Sequence, residues 1–340
     1  MRRHTATSPT RIDLAGGTLD IWPLNMLVDR AMTVNVAIDL TATAVIEEPT
    51  GSSSTRVEVR SEDQNEEEAW DLAAAPPTGT KLPLVAECVR FFEPARGLRI
   101  TTRCQAPAGS GLGGSSALAI SMLGGLQAFL GRPIMPPDEM VRVARDLEAR
   151  VLQIPTGTQD HFAATFGGAA AIRYGPGRPV REALPIDLEA LGSRLVLAYG
   201  GASRLSAMAN WDMVRRAIDK DAQTRQSLST IATLAHEMRA ALIEKDYEAA
   251  GALMGREWEQ RKLLSSKVST EVIEKAIAAA RHAGAVAGKV CGAGGGGCIA
   301  FLCREGARPA VERALGTLSA DGLRTIAARP TRVGLQLASA

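Results

Sequence analysis

Residues 107–117 read Pro-Ala-Gly-Ser-Gly-Leu-Gly-Gly-Ser-Ser-Ala, and an apolar helical pattern over 118–129 follows directly. Four of these residues are glycines: Gly109, Gly111, Gly113 and Gly114. They allow tight turns and a close approach of the backbone to a ligand. Ser115 and Ser116 lie where the helix begins, so unpaired N–H groups and the positive end of the helix dipole face outward. The stretch therefore predicts a phosphate-binding loop.

This loop differs from two common phosphate-binding motifs. A Walker A loop ends in Gly-Lys-Ser/Thr, and no lysine lies here. A dinucleotide fingerprint can be placed on Gly109, Gly111 and Gly114, but the acidic residue expected about 20 positions further on is missing. The structural alternative is a tight strand–helix turn that binds nothing. The coincidence of glycines, serines and a helix start favours phosphate binding.

Composition narrows the class of protein. The 340 residues suffice for two lobes, and 46% hydrophobic with 22% charged residues is typical of a soluble globular chain. The net charge of +2 argues against a dedicated nucleic-acid binder. The five cysteines lack zinc-ligand spacing and fit a reducing compartment. The first ten residues are polar and no apolar run reaches the roughly 20 residues of a membrane span, so we expect a cytoplasmic protein.

Periodicity places strands at both ends of the chain and helices in the middle. We expect strands over 32–47, 56–60, 98–104, 169–174, 194–199, 286–291, 298–303, 324–327 and 331–337, with an acidic turn at 61–68. We expect helices over 80–92, 115–130, 138–152, most of 206–283, and 307–319. This order favours an α+β fold over regular βαβ alternation. The predicted lobes are 1–185 and 186–340, and the terminal strands can return to the first lobe.

Two further motifs contain candidate functional residues. Residues 8–20 read Ser-Pro-Thr-Arg-Ile-Asp-Leu-Ala-Gly-Gly-Thr-Leu-Asp. Arg11 can neutralise phosphate charge and Asp20 can hold a sugar hydroxyl, although such residues also occur on strand surfaces and as caps. Residues 291–298 read Cys-Gly-Ala-Gly-Gly-Gly-Gly-Cys between two strands. They form either a wide bulge or a backbone that passes close to a ligand or to the first glycine loop.

In order and spacing, the three motifs resemble the signature motifs of the GHMP kinases, from about residue 5 to residue 330. Residues 11–17 and 158–168 are most similar to the heptose-7-phosphate kinase and fucokinase types of sugar kinase. The resemblance implies a two-lobed α+β fold: an N-terminal lobe like ribosomal protein S5 domain 2 and a ferredoxin-like, helix-rich C-terminal lobe. It also implies ATP and Mg²⁺, with the nucleotide and the acceptor bound between the lobes.

The resemblance assigns roles on the donor side. The ATP phosphates are expected on Pro107, Gly109, Ser110, Gly111, Leu112, Gly113, Gly114, Ser115 and Ser116. Ser115 matches the serine that contacts Mg²⁺, with Ser116 as the alternative. Glu148, twelve positions before Asp160, matches the second Mg²⁺ ligand, unless it is a solvated helix glutamate. Asp160 matches the catalytic aspartate, which either accepts the hydroxyl proton or orients the hydroxyl. Arg11 matches the residue that contacts the transferring phosphate and restrains Asp160.

On the acceptor side, the resemblance assigns substrate contacts to Asp20, Gly17, Thr18, His161, Gly294 and Gly295. Leu19 replaces a threonine of the sugar-kinase pattern. His161 replaces a glutamine or similar residue, so it either contacts the substrate or lies on the helix surface.

The expected substrate is a small-molecule sugar or sugar phosphate such as D-glycero-D-manno-heptose 7-phosphate, phosphorylated at its anomeric hydroxyl. A mevalonate-type isoprenoid kinase and a non-catalytic sensor of ATP and sugar are the alternatives. We expect no nucleic-acid or membrane partner, and a monomer or homodimer.

Overall fold

The computed structural model describes residues 2–49, 55–73, 79–201 and 206–339, with the backbone alone for 206–210. Its strands are β1 Arg3–Ala15, β2 Met32–Glu47, β3 Arg56–Ser61, β4 Glu66–Asp71, β5 Leu98–Cys104, β6 Ala169–Arg173, β7 Val180–Ala183, β8 Leu195–Tyr199, β9 Ala285–Val290, β10 Cys298–Cys303, β11 Arg324–Ile326 and β12 Gln336–Ser339.

Its helices are α1 Leu24–Leu27, α2 Pro83–Phe92, α3 Gly114–Leu130, α4 Pro137–Leu152, α5 Gln159–Phe166, α6 Leu188–Gly192, α7 Ser206–Ile218, α8 Ala222–Ile243, α9 Tyr247–Leu264, α10 Glu271–His282 and α11 Arg308–Gly316. None of the helices in these ranges is long and apolar enough to cross a membrane.

The strands form two separate sheets. The larger has eight strands in the order β12-β1-β2-β5-β3-β4, with β6 paired to β2 and β7 paired to β6. Its pairings are antiparallel except for β3 with β5. The smaller sheet has the antiparallel order β11-β8-β10-β9. Two largely antiparallel sheets with segregated helices confirm the α+β prediction.

Helix α3 is the central helix of the larger sheet. Its glycines and alanines allow close packing against the strands: a Cβ on Gly125 would stand 3.0 Å from Ile46 Cδ1 and 3.3 Å from the Ala6 Cβ. Because the helix is buried over most of its length, its N-terminus holds a fixed position at the end of the sheet.

The two sheets share a continuous hydrophobic core. One cluster of buried residues contains Leu14 of β1 and Val34 of β2 together with Met238 of α8, Met254 of α9 and Ala300 of β10. The motifs of β1, α3 and the β9–β10 connection therefore meet where the two sheets approach each other.

Two segments differ from the sequence predictions. The acidic stretch 66–71 is not a turn but strand β4, which pairs with β3 and places Glu67 opposite Arg60. The last strand spans 336–339 rather than 331–337, and it pairs with β1 in the larger sheet. The return of a terminal strand to the first lobe is thereby confirmed. The assignment of all of 186–340 to the second lobe is wrong for this segment.

Candidate active site

The predicted phosphate loop lines a cavity of about 540 Å³ at the N-terminus of α3. The helix begins after Gly113, whose φ of +78° is the left-handed conformation that glycine adopts without strain. No side chain caps this end of α3, so its first N–H groups are available to a ligand. The loop residues that line the cavity are Pro107, Gly109, Ser110, Gly111, Gly113, Gly114, Ser115 and Ser116. The geometry is that of an anion site at a helix N-terminus.

The two glycine-rich loops touch each other. A Cβ on Gly111 would stand 2.8 Å from the Cα of Gly292, and one on Gly292 would stand 2.6 Å from the Cα of Gly111. The amide of Cys298 also donates to the carbonyl of Ser110 at 2.7 Å. The predicted close passage of residues 292–297 beside the first glycine loop is therefore confirmed.

Arg11 and Asp160 form the centre of the site. Nε and Nη2 of Arg11 both lie 2.7 Å from Oδ1 of Asp160, so these two contacts fall on the same carboxylate oxygen. Burial alone would lower the pKa of Arg11, but the charges of Asp160 and Asp13 raise it above its ordinary value. The guanidinium therefore stays charged and holds the carboxylate in place, which matches its predicted restraining role.

The remaining donors of Arg11 bind the two glycine loops. Nη1 donates to the carbonyl of Gly111 at 2.6 Å and to the carbonyl of Cys291 at 3.2 Å. Four of the five guanidinium N–H groups thus face protein acceptors, and the second N–H of Nη2 has no such acceptor among the described residues. Arg11 is 5% exposed, so it acts mainly by joining the loops and Asp160.

Glu148 lies beside the serines of the phosphate loop. Ser116 Oγ donates to its Oε2 at 2.9 Å, and His161 Nε2 lies 3.2 Å from the same oxygen. Burial alone would raise the pKa of Glu148, but the neighbouring His161 side chain and the hydroxyls of Ser115 and Ser116 outweigh it, and the pKa lies below its ordinary value. Glu148 is buried, so the alternative of a solvated helix glutamate is wrong.

These residues fit a Mg²⁺ ion. Glu148, Ser115 and Ser116 all line the cavity of the phosphate loop, and carboxylate and hydroxyl oxygens are the hard ligands that Mg²⁺ prefers. Within the described ranges, no three His, Cys, Asp or Glu side chains converge as a metal cage. Mg²⁺ in phosphoryl-transfer sites usually takes one or two protein carboxylates and completes its shell with phosphates and water.

His161 was predicted either to contact the substrate or to lie on the helix surface, and it does neither. It is fully buried, so it is not a helix-surface residue, and it lines neither of the two cavities of the site. Its contact with Glu148 makes it a support for that carboxylate. The predicted substrate contact of His161 is corrected accordingly, because α5 turns this side chain toward α4 while it turns Asp160 toward the loops.

A second cavity of about 200 Å³ adjoins the first. Asp160, Gly111, Gly113, Thr156, Gly292 and Ala293 line both cavities. Gly17, Thr18 and Asp20 line only the second, as the prediction of an acceptor site at these residues requires. Burial and the charge of Asp160 raise the pKa of Asp20 to about 6, although Oδ2 accepts a hydrogen bond from the Gln159 amide at 3.1 Å.

Three other predicted contacts need correction. Leu112 is fully buried in the core and lines neither cavity, while its carbonyl accepts from the Arg11 amide at 2.9 Å. Gly295 also lines neither cavity, because its amide donates to the carbonyl of Val268 at 2.8 Å. Gly294 lines the cavity of the phosphate loop rather than the second cavity.

Several residues of the site carry no short sequence signal. The larger cavity is also lined by four apolar residues, Leu82, Pro83, Leu118 and Val151. The smaller cavity is lined by Asp13 and Arg261, which the sequence analysis did not identify. Asp13 lies two residues after Arg11, so both side chains point to the same face of strand β1. This spacing is the one sequence signal that indicates Asp13 as a site residue.

Comparisons with known proteins identify the family. The family model "GHMP kinases N terminal domain" matches residues 83–168, and "GHMP kinases C terminal" matches 238–319. A mevalonate kinase from Methanothermobacter thermautotrophicus is 31% identical over 230 residues, which cover 67% of this chain and 71% of that protein. The chain belongs to the GHMP kinase family.

Two relatives of this GHMP kinase have names that refer to heptoses. A D-glycero-alpha-D-manno-heptose 7-phosphate kinase from Campylobacter jejuni is 30% identical over 207 residues, 59% of this chain and 60% of that protein. The crystal structure of a D-glycero-D-manno-heptose 1-phosphate kinase from Bacteroides thetaiotaomicron is 25% identical with a TM-score of 0.78, and the match covers 98% of each chain. The predictions of the family and of its fold are therefore confirmed, and the relatives are kinases of small molecules.

Proposed function

We propose that this GHMP kinase transfers the γ-phosphoryl group of ATP, with Mg²⁺, to a hydroxyl of a sugar or sugar phosphate. One observation carries the proposal: Asp160, held by Arg11, lines both the cavity of the phosphate loop and the adjoining smaller cavity. A donor in the first cavity and an acceptor in the second would meet at this carboxylate.

The larger cavity supports a nucleotide as the donor. The uncapped N-terminus of α3 would hold the phosphates, and the apolar lining residues Leu82, Pro83, Leu118 and Val151 would contact a base. Glu148 and Ser115 are the proposed Mg²⁺ ligands, with Ser116 beside them. A Mg²⁺ ion bound there would neutralise charge on the β- and γ-phosphates.

The reaction needs positioning more than covalent help from the protein. The acceptor oxygen bonds to the γ-phosphorus, the bond to the β–γ bridging oxygen breaks, and ADP leaves while the hydroxyl proton is released. Oδ2 of Asp160 is the oxygen that would receive the hydrogen bond of the attacking hydroxyl. The remaining N–H of Arg11 would contact the transferring group.

The smaller cavity supports a polyhydroxylated acceptor, a sugar or a sugar phosphate. Asp20 can accept a hydrogen bond from a sugar hydroxyl, whereas mevalonate has few hydroxyls to donate to it. The relative named as a D-glycero-alpha-D-manno-heptose 7-phosphate kinase makes that sugar phosphate the leading acceptor. The anomeric hydroxyl is the proposed reacting group. The mevalonate kinase relative keeps a mevalonate-type reaction as the second candidate.

A panel of acceptors with coupled ADP detection tests the proposal. It contains free C6 and C7 aldoses, their phosphates, mevalonate and a control without acceptor. We expect a sugar or sugar phosphate to give the highest kcat/KM, and Asp160→Asn to lower its kcat at least about 100-fold while ATP still binds. A preference for mevalonate would make the sugar assignment wrong. If no acceptor in the panel gives more ADP than the control without acceptor, the sugar-kinase proposal is refuted.

A further inference from the structure

The acceptor cavity contains a polar pair that the proposed reaction does not use. Asp13 and Arg261 both line it, and both head groups lie beside Gly17. A Cβ on Gly17 would stand 2.3 Å from Oδ2 of Asp13 and 2.9 Å from Nη1 of Arg261. The missing side chain at Gly17 therefore leaves room for a carboxylate and a guanidinium to share one part of the cavity wall.

Groups behind the wall hold this pair in place. Lys289 Nζ lies 2.8 Å from Oδ2 of Asp13 and 3.0 Å from Oε2 of Glu257, and all three side chains are at most 2% exposed. Nη2 of Arg261 donates to the carbonyl of Gly292 at 2.7 Å. Burial raises the pKa of Glu257, and the charges of Lys289 and Arg261 oppose that rise. Only Asp13 and Arg261 of this cluster line the cavity.

The second oxygen of Asp13 has a feature that the ion pair does not explain. Asp13 is 1% exposed, and its Oδ1 receives no hydrogen bond from any residue within the described ranges. A buried carboxylate oxygen without a donor carries a desolvation cost, so such an atom calls for a partner. A salt bridge that only joined β1 to β9 would not need Asp13 in the wall of the acceptor cavity. The Asp13 carboxylate lines the acceptor cavity, so a hydroxyl bound there would lie beside it.

The chemistry of the pair selects the group that it would bind. A hydroxyl suits it, because its O–H can donate to the carboxylate while its oxygen accepts from the guanidinium. A phosphate or carboxylate suits it less, because Asp13 and Glu257 balance the charges of Lys289 and Arg261. The cluster thus offers an anion no net positive charge and places a carboxylate against it.

We propose that Asp13 and Arg261 form a specificity subsite for a second, non-reacting hydroxyl of the acceptor. The inference rests on the proposed function, because it needs an acceptor beside Asp160. It narrows the acceptor class to polyhydroxylated molecules, in which a second hydroxyl reaches this wall while the first faces Asp160.

Monodeoxy analogues of the best acceptor from the panel test this subsite. For wild type, we expect removal of one particular hydroxyl to lower kcat/KM about 10- to 100-fold, as for a hydrogen bond to a charged group. Asp13→Asn should lower kcat/KM for the parent acceptor by a similar factor, mainly through KM, and should abolish the discrimination at that hydroxyl. The KM for ATP should not change. Glu257→Gln is the matched control, because it also removes one negative charge beside Lys289 but does not line the cavity.

The outcomes separate this inference from the function on which it rests. A loss of discrimination in Asp13→Asn but not in Glu257→Gln supports the subsite. The subsite is overturned if wild type and Asp13→Asn discriminate equally between the parent and the monodeoxy acceptor. It is also overturned if Asp13→Asn and Glu257→Gln lose this discrimination equally. Both results leave the kinase assignment intact. If Asp13→Asn no longer binds ATP, the test is repeated with Arg261→Lys, which keeps the charge and removes the planar guanidinium. The measured quantity is again the ratio of kcat/KM for the parent and the monodeoxy acceptor. Wild type without turnover on any polyhydroxylated acceptor overturns the proposed function and the subsite together.

Discussion

At the scale of single residues, the site depends on carboxylates that differ in their surroundings. Asp160 is paired with Arg11 at 2.7 Å and is partly exposed to both cavities. Asp20 is buried, has no cationic contact at hydrogen-bond distance among the described residues, and accepts one amide hydrogen bond. Its environment therefore opposes ionisation, and burial together with Asp160 raises its pKa to about 6. Ionisation of Asp20, which the proposed acceptor contact requires, therefore costs folding free energy.

This cost predicts a stability gain in Asp20→Asn. The folded-state pKa lies above the ordinary value of 3.8, so the native state binds more protons and the free energy of unfolding falls as pH rises from about 4 to about 6. We expect the variant to unfold with a free energy higher by up to about 3 kcal/mol at pH 7.5, and by much less at pH 4.5. Urea unfolding at both pH values measures the difference.

The same variant should lose acceptor affinity, because an amide binds a hydroxyl less strongly than a carboxylate. We expect a higher KM for the acceptor at pH 7.5 with an unchanged KM for ATP. A stability difference that is the same at pH 4.5 and pH 7.5 would show that the charge of Asp20 is not its cause.

At the scale of elements, the two serines at the start of α3 differ in their exposure. Ser115 is exposed to the phosphate-loop cavity, whereas Ser116 is buried and donates to Glu148 at 2.9 Å. Ser115→Ala should therefore raise the Mg²⁺ concentration for half-maximal activity about 10-fold and leave the melting temperature nearly unchanged. Ser116→Ala should cost about 1 kcal/mol of unfolding free energy. Magnesium titrations and thermal unfolding of both variants measure this, and the reverse ranking would place the metal contact on Ser116.

The elements also show what the sequence can and cannot predict. Strands β2 and β5 were predicted with their observed bounds, because their β-branched and apolar residues favour a strand before any tertiary contact forms. Strand β4 was missed because its run of glutamates resembles a turn, and only its pairing with β3, including the Arg60–Glu67 ion pair, makes it a strand.

For the same reason, Lys289 and Asp13 could not be recognised as a pair. They are 276 residues apart, and a charged residue in a strand is assigned to the solvent face until the partner that neutralises it is known. In the motifs at 8–20, 107–117 and 291–298, by contrast, the residues that indicate a function are close neighbours in the sequence.

At the scale of the whole molecule, the segment from 330 to 339 connects strand β1 of the larger sheet to the end of helix α5. Strand β12 pairs with β1 through four residue pairs and is exposed. The residues before it do more: Leu335 donates to the carbonyl of Thr165 at 3.1 Å and the carbonyl of Thr331 accepts from Gly168 at 2.9 Å, both at the end of α5. Helix α5 carries Asp160, so this segment supports the site from behind.

Two deletions separate these contributions. Deletion of 336–340 removes the exposed edge strand β12, including the Leu337 side chain beside Gly124 of α3, but keeps the contacts of Thr331 and Leu335 with the end of α5. At about 0.5–1.5 kcal/mol per lost hydrogen bond, we expect a melting temperature lower by several degrees and a kcat within about twofold of wild type. Deletion of 330–340 also removes the contacts to α5, so we expect kcat to fall at least about 10-fold, because small displacements of a catalytic group are costly. Thermal unfolding and steady-state kinetics on the best acceptor measure both. An equal kcat in the two truncated proteins would mean that α5 holds Asp160 without help from this segment.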